Sequence, residues 1–399
     1  TANTTGSENC AVGEDALKAN TTGYQNNVVG QAALQSNTTG NNNNVMGRAA
    51  MAVNTTGSNN TAIGHGTLNQ NTTADNNTAV GSTALAANTT GADVTAVGAF
   101  ALDANTTGNY NTAFGKNTLG ANTTASYNTA FGTTSLLNNT TGAYNTTVGA
   151  DSSKENTTAS NNTALGYAAL KQNTTGGQNV AVGANCLDSN TSGEANTGVG
   201  RNCLEANTTG QYNVAVGFNG LQGNSTGSNN TALGFQALDD NTTADANTAV
   251  GYRSLYLNTT GNVNVAVGVT ALYSNTTGSQ NTAVGENALS SNTTGAVLVA
   301  VGRDSLKSNT TAQNNTAVGN NALQNNTTGA QNTALGTSAG SDHIDGAQNL
   351  ILGWNSQTAA TGSSNSVTLG GTYVTDLRCA DTSISSLSDR RDKTDIVDL

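Results

Sequence analysis

The strongest constraint on the fold is a repeat of 17 residues that runs through most of the chain without a gap. An Asn-Thr-Thr signature recurs in 20 consecutive copies from Asn3 to Asn326, with no insertion or deletion between them. Two copies vary the triplet, as NTS at 190–192 and NST at 224–226. Disordered low-complexity sequence has no reason to hold such a register, so the repeat predicts a folded repeat architecture. We call each repeat a coil and number its positions from the asparagine, position 1.

The unit NTT[GA]xxN[TV]A[VLFIM]Gxx[small]Lxx predicts a β-solenoid. Seventeen residues are too few for a helical hairpin with its turns, and Gly and Asn at this density oppose helix. Positions 7–11 form a short β-branched segment between turn residues, which is typical of a strand. The frame continues through Gly353 and Gly370. The fold class is therefore all-β, a parallel β-solenoid (β-roll) of about 22 coils, roughly 100 Å long at about 4.8 Å per coil.

The glycine at position 11 is the least variable feature of the coil. It is present in all 20 copies, whereas position 4 is Gly in fifteen copies and Ala in five. Position 11 is therefore predicted to require a positive φ or a close backbone approach, and alanine at position 4 is predicted to be nearly silent. The structural glycines singled out are Gly13, Gly30, Gly183 and Gly200.

Two further positions describe the interior and the outer surface of the coil. Position 15 is leucine in seventeen copies, including Leu17 and Leu187, and is predicted to lie in the core. Positions 9 and 10 point to opposite faces of the strand, yet both are small or apolar, so both faces need cover. Packing of one chain on another is favoured; a flattened coil covered by its own second wall is the alternative. Phe114 and Phe131, at position 10, are predicted to be core.

Composition argues against several classes of function. The net charge is −11, with 13 basic and 24 acidic residues, whereas nucleic-acid binding requires clustered Lys and Arg. The longest apolar run, 296–301, is far shorter than the ~20 residues that span a bilayer, so membrane insertion is not expected. Four cysteines and two histidines are scattered, so neither a metal site nor a cofactor is predicted. Acidic residues at 239, 240 and 245 occupy variable positions and form no catalytic carboxylate pair.

Equivalent positions in neighbouring coils are predicted to stack. Tyr110, Tyr127 and Tyr144 share position 6, and a second aromatic trio, at 218, 235 and 252, shares position 12. Stacking for packing is favoured over a sugar-binding strip. Cys186 and Cys203 share position 14 at a separation compatible with a disulfide. Two buried free thiols are the favoured interpretation.

Every copy also carries an N-x-[ST] sequon at position 1, the acceptor pattern for N-glycosylation. Glycans about 4.8 Å apart would collide, so amide ladders and side-chain turns are favoured over full occupancy. The possible glycosylation sites are Asn3, Asn20, Asn37, Asn54, Asn71, Asn88, Asn105, Asn122, Asn139, Asn156, Asn173, Asn190, Asn207, Asn224, Asn241, Asn258, Asn275, Asn292, Asn309 and Asn326.

Two segments, NTAIG at 60–64 and NSVTLG at 365–370, resemble the head repeat of trimeric autotransporter adhesins. The longer unit with Asn-Thr-Thr-Gly is similar to repeats of phage tail-fibre proteins. These resemblances imply a left-handed parallel β-roll in which three chains lie side by side. Residues 1–371 are then the shaft of a homotrimer, followed by a connecting segment at 372–387.

The segment SDRRDKTDI at 388–396 resembles the opening of the intramolecular chaperone domain of phage tail spikes of the endosialidase type. The resemblance implies a domain that begins at residue 388, of which only 388–399 are present. It also implies a single autoproteolytic cut at Leu387–Ser388, with Ser388 as nucleophile and Lys393 as its base. A solvated charged tail is the alternative.

These observations together predict a structural protein rather than an enzyme, apart from that single turnover in a full precursor. We expect the shaft of a phage or virus-like tail fibre that spaces a host-binding tip from the particle. The expected location is extracellular or in a virion tail. The expected partners are two further copies and a cell-surface receptor, a glycan, bound by regions outside this sequence. An extracellular glycosylated filament or adhesin unrelated to a virion is the alternative.

Overall fold

A computed structural model describes residues 3–371 and Val374, and every regular element in this part of the chain is a short strand. There are 22 strands of three residues each, one per coil. They are β1 Cys10–Val12, β2 Asn27–Val29, β3 Asn44–Met46, β4 Thr61–Ile63, β5 Thr78–Val80, β6 Thr95–Val97, β7 Thr112–Phe114, β8 Thr129–Phe131, β9 Thr146–Val148, β10 Thr163–Leu165, β11 Val180–Val182, β12 Thr197–Val199, β13 Val214–Val216, β14 Thr231–Leu233, β15 Thr248–Val250, β16 Val265–Val267, β17 Thr282–Val284, β18 Val299–Val301, β19 Thr316–Val318, β20 Thr333–Leu335, β21 Leu350–Leu352 and β22 Val367–Leu369.

The strands form one parallel sheet of 22 members in which each strand pairs with its neighbours in sequence. The register is offset by one repeat, so that Ala11 lies beside Val28 and Val180 beside Thr197. Equivalent positions of successive coils therefore lie directly above one another. The structure confirms the all-β parallel solenoid with its 17-residue repeat.

The remaining fourteen positions of each coil form turns, and three of them adopt a left-handed backbone without being glycine. In coil 7 these are Tyr110 (φ 58°), Asn117 (φ 56°) and Leu119 (φ 53°), at positions 6, 13 and 15. A short coil reverses direction within few residues, and these reversals require left-handed residues. Each such residue that is not glycine costs about 1 kcal/mol of conformational free energy. Burial of the position-15 leucine, worth about 2 kcal/mol, offsets that cost at position 15.

The coil interior has an apolar half formed by positions 9, 14 and 15. The position-9 side chain is inaccessible to solvent from Val28 to Ile351, and Leu187 is fully buried whereas Leu17, in the first coil, is 6% exposed. The position-10 side chains point outward, and the prediction that Phe114 and Phe131 belong to the core is wrong. Their side chains are 36% and 38% exposed. The narrow coil has room for the alanine of position 9 but not for the larger residue beside it.

The polar half of the interior is built from the asparagines of positions 1 and 7. Asn190 Nδ2 donates to Asn173 Oδ1 in the preceding coil (2.8 Å) and to the carbonyl oxygen of Gly193 in its own turn (3.0 Å). Asn196 Nδ2 donates to the carbonyl oxygen of Gly210 in the next coil (2.9 Å). The same bonds recur along the shaft and satisfy amides that would be costly to bury unpaired.

The apolar core is interrupted at coil 9, residues 139–155. One buried apolar cluster ends at Leu136 and the other begins at Ala164. Between them the interior carries Thr147 and Ser153 at positions that are alanine and leucine in most other coils. The Ser153 hydroxyl is buried without a hydrogen-bond partner. Coil 9 therefore separates the two buried apolar clusters and contains a buried hydroxyl that costs free energy to leave unpaired.

Candidate functional surfaces

The residues predicted to cut the chain, Ser388 and Lys393, lie outside the described residues, as do Leu387 and Cys379. Their predicted roles stay predictions.

Cys186 and Cys203 are both buried and free, which confirms the favoured interpretation of two thiols. Burial raises the pKa of both thiols, so neither is an activated nucleophile. A β-carbon at Gly198 would collide with Cys186 Sγ, which explains why this coil alone has glycine at position 9.

The position-11 glycines combine a strained backbone with a close approach between coils. From Gly13 to Gly336 their φ angles lie between 127° and 142°. A β-carbon on Gly13 would lie 2.7 Å from the carbonyl carbon of Gly30, and one on Gly30 would lie 2.7 Å from that of Gly47. At Gly200 the corresponding distance to the carbonyl carbon of Gly217 is 2.8 Å. No other residue fits without moving the next coil.

The sequon asparagines are placed where a glycan cannot be attached without dismantling the ladder. From Asn20 to Asn326 each of these side chains is at most 1% exposed, and only Asn3 is exposed. Asn207 is typical, because its Nδ2 donates both hydrogens, to Asn190 Oδ1 at 2.8 Å and to the Gly210 carbonyl oxygen at 3.1 Å. Nδ2 is also the atom that a glycan would occupy. The geometry favours the amide ladder over glycans in the folded shaft.

The outward face of the sheet carries an apolar column along the whole described shaft. Position 10 is apolar in every strand and never buried, with exposures of 50% at Met46, 47% at Leu233 and 52% at Leu335. Position 8, mostly threonine or valine, lies beside it. The alternative in which a second wall of the same coil covers this face is not observed within residues 3–371. The column is a continuous surface on which another chain could pack.

The predicted aromatic stacks are present on the surface. Tyr110 and Tyr127 stack with ring centroids 4.9 Å apart, and Tyr127 and Tyr144 with centroids 5.1 Å apart. The position-12 trio stacks at 5.4 and 5.5 Å. A third stack, Tyr256 on Tyr273 at 5.3 Å, occupies position 16. The sequence analysis did not single it out, although the separation of 17 residues gave the signal.

One edge of the solenoid is grooved where positions 12 and 13 face positions 16 and 17. Clefts recur along it because these positions vary in size from coil to coil. The cleft at coils 3–6 contains His65, Phe100 and Asp103, and burial raises the pKa of the Asp103 carboxyl. A second cleft, at coils 11–14, contains Glu205, Asp239 and the neighbouring Asp240. A third lies at coils 15–17.

Asp239 is the most perturbed acid of the described residues. Its side chain is 7% exposed, and Oδ1 is buried without a hydrogen-bond partner. Burial, with the charge of Asp240, raises the pKa of Asp239 to about 6, against a smaller opposing effect of Arg253. Burial, and to a smaller extent the charge of Asp239, raises the pKa of Tyr256. Asp239 is therefore ionised near neutral pH at a cost in stability.

Replacement of Asp239 by asparagine is expected to stabilise this region near pH 7. A carboxyl whose pKa is higher in the folded state favours folding below its unfolded value, near 3.8, and loses that contribution as the pH rises to about 6. The full loss corresponds to about 3 kcal/mol, and Asn should recover about 1–3 kcal/mol at pH 7. Thermal unfolding of both proteins at pH values between 4 and 8 measures the difference. The exposed control Asp93→Asn should change stability by less than about 0.5 kcal/mol, and equal effects would contradict the assignment.

Arg253 was also missed by the sequence analysis, and it joins the second and third aromatic stacks. Its guanidinium carbon lies 5.3 Å from the ring centroids of both Tyr252 and Tyr256. Its Nε donates to Gln236 Oε1 at 2.8 Å. The spacing of an arginine one residue after Tyr252 and three before Tyr256 is visible in the sequence. Only the fold shows that the two rings lie on either side of one groove.

Comparison with known proteins adds no assignment, because no family model and no curated protein matches the chain. Within residues 3–371, no group of three or more His, Cys, Asp or Glu side chains is arranged to hold a metal ion. The same part of the chain contains no helix with the length and apolar character needed to cross a bilayer.

Proposed function

We propose that this chain is the shaft of a homotrimeric fibre that spaces a receptor-binding tip from a phage or virus-like particle. The observation that carries the proposal is the exposed apolar column at position 10, which follows one face of an uninterrupted sheet of 22 strands. A monomer in water gains nothing from a continuous apolar column of this length, whereas association removes it from solvent. The resemblance to trimeric adhesin heads favours three chains.

The rest of the shaft supports a mechanical rather than a catalytic role. The buried polar groups form ladders that tie each coil to the next. Attachment in a virion tail, or to an extracellular surface, and a host receptor as partner are parts of the same proposal. An extracellular filament unrelated to a virion would use the same shaft. Because the sequon asparagines are buried, a glycosylated filament is less well supported than the fibre shaft.

Light scattering of the purified chain tests the assembly. The expected mass is about three times 39.8 kDa, and electron microscopy should show rods roughly 100 Å long. Glutamates at two outward positions, Val216→Glu and Val250→Glu together, should yield monomers because they place charges in the apolar contact. The control Tyr144→Glu, on an exposed side chain at position 6, should remain trimeric. The proposal would be contradicted if the wild-type chain were a soluble monomer. It would also be contradicted if the variant with both glutamates had the same mass as the wild-type assembly.

A further inference from the structure

The third cleft on the grooved edge has the features of a small-molecule site. It is an open groove with a volume of about 400 Å³ that spans coils 15–17. Tyr252 and Arg253 form one side, and Tyr273 with Ser274, Ser290 and Ser291 forms the other. We call it the Arg253 cleft. Its chemistry is unlike that of the two clefts nearer the amino-terminal end, which contain no arginine.

The guanidinium in this cleft is fixed in place before any ligand arrives. It lies against the rings of Tyr252 and Tyr256, and its Nε is bound to Gln236. Its two terminal nitrogens have no hydrogen-bond or ion-pair partner among the described residues. Asp239 is near enough to be influenced by Arg253 but forms no ion pair with it. A planar guanidinium with free terminal N–H groups matches the geometry of a carboxylate, which it binds with two parallel hydrogen bonds.

The opposite side of the cleft offers a flat apolar surface beside free hydroxyls. Tyr273 ends the position-16 stack, because the next coil has the small Ser290 at that position. The ring face that would otherwise be covered therefore borders the cleft. The hydroxyls of Ser274, Ser290 and Ser291 have no hydrogen-bond partner within residues 3–371. The floor is already satisfied, since Thr270 Oγ1 donates to Asn287 Oδ1 at 2.6 Å and Asn287 Nδ2 donates to Asp304 Oδ1 at 3.0 Å.

We propose that the Arg253 cleft binds an acidic monosaccharide unit, a hydroxylated pyranose ring that bears a carboxylate. Arg253 binds the carboxylate, the ring of Tyr273 packs on the apolar face of the sugar, and the serine hydroxyls bind its hydroxyl groups. A neutral sugar leaves the guanidinium unpaired, and a cationic ligand is repelled by it. The inference goes beyond the shaft role and does not depend on it.

The charges around the cleft also limit the length of the saccharide that it can bind. Asp239 and Asp240 lie on the amino-terminal side, in the neighbouring acidic cleft. Their charges repel a second acidic unit there, and Glu286 and Asp304 do the same toward coils 17 and 18, so that a single acidic unit is the expected ligand. The net charge of −11 opposes any anion at long range. Binding is therefore expected to be weak, with a Kd of about 1 mM for a single unit.

The test is a titration of the full chain, in its native assembly, with sodium D-glucuronate at low ionic strength. D-glucose and sodium acetate serve as matched ligands, because one lacks the carboxylate and the other lacks the ring. Saturation-transfer NMR should report contact of glucuronate with the protein and much weaker signals for the other two. Added salt should weaken glucuronate binding, since the charge pair is partly exposed. Acetate bound as tightly as glucuronate would overturn the saccharide assignment, and so would equal binding of glucose.

Two variants use residues that the repeat itself carries at the same positions, so that the fold is kept. Arg253→Asn introduces the residue present at position 13 in Asn219 and Asn287, which adopt the same left-handed backbone as Arg253. Tyr273→Ser introduces the residue found at 290. Each is expected to weaken glucuronate binding by about tenfold, the first by loss of the charge-assisted pair. The control Tyr110→Asn, on a distant stack, should bind as wild type. Unchanged affinity in Arg253→Asn, with an unchanged circular dichroism spectrum, overturns the proposal.

Discussion

Replacing Gly183 by valine is expected to destabilise coils 11 and 12 by about 3 kcal/mol or more. Gly183 has a φ of 135°, which L-residues rarely adopt. A β-carbon there would collide with the carbonyl oxygen of Gly200 and lie 2.6 Å from its carbon. Because a solenoid opens locally, the effect is best measured by hydrogen exchange of the two coils rather than by a global melt.

Alanine substitutions at Gly183 and Gly176 form the matched comparison, since both add one methyl group. Gly176, at position 4, has no positive φ, but its β-carbon would meet the carbonyl oxygen of Gly193. The alanines found at position 4 in five coils predict that Gly176→Ala is nearly silent. The close carbonyl oxygen instead indicates a small destabilisation, of less than about 1 kcal/mol. Gly183→Ala should cost clearly more, and equal losses at the two sites would show that the turn is misassigned.

The alanine copies show how the smaller cost is absorbed. In coil 8, which has Ala125, the backbone bond from Thr123 N to Thr140 O is 3.4 Å long. In coil 9, which has Gly142, the equivalent bond from Thr140 N to Thr157 O is 2.9 Å. The methyl group is accommodated by a local stretch of the ladder. A similar stretch cannot accommodate a side chain at position 11, because the φ angle there is itself unfavourable for any residue other than glycine.

Ser153→Leu is expected to stabilise the shaft at coil 9 by about 2 kcal/mol. Ser153 occupies the core position that is leucine in the adjoining coils, between the fully buried Leu136 and Leu170. Its hydroxyl is buried and unpaired, so the substitution removes a polar penalty and adds apolar burial. Leucine already adopts the required left-handed backbone at this position, as at Leu136 (φ 54°). Slower hydrogen exchange across residues 139–170 is the expected readout.

The same substitution at Gly340 provides the control. Gly340 also departs from leucine at position 15, but there the larger Ile351 at position 9 has taken the space. A β-carbon at Gly340 would lie 2.8 Å from Ile351 Cδ1 and 2.9 Å from Leu323 Cδ2. Gly340→Leu should therefore destabilise coil 20 by about 1–3 kcal/mol through overpacking. Stabilisation by both leucines, or by neither, would contradict this account of the core.

The sequence predicted the period and the parallel register because both follow from the uninterrupted 17-residue repeat. It predicted the strand positions because a β-branched segment lies between turn residues in each coil. It did not predict which face of the strand is interior. Alternation separates positions 9 and 10, but both are apolar in most coils, so only the width of the coil decides that Ala113 is inside and Phe114 outside. The sequence also did not predict the left-handed backbone of the position-15 leucines, because leucine rarely adopts that conformation.

The candidate site was less predictable than the fold. A spacing of 17 residues identifies what stacks, as it did for Tyr110 and Tyr127, because stacked residues share a position. The contact of Arg253 with the rings on both sides joins positions 12, 13 and 16, and depends on how the turns fold back on one another. No periodicity in the sequence reports such a cross-coil distance. The perturbed pKa of Asp239 has the same origin, since burial at position 16 varies with the size of neighbouring side chains.

The hydrogen bonds that join successive coils give the shaft a definite mechanical character. Backbone and amide bonds at each junction run along the long axis, so they share a tensile load as parallel springs. The junctions themselves are connected in series, and the rod is only as strong as its weakest junction. A single insertion would misalign every ladder across one junction while leaving all the others intact. The uninterrupted period is thus the arrangement that spreads a pull evenly along the whole length.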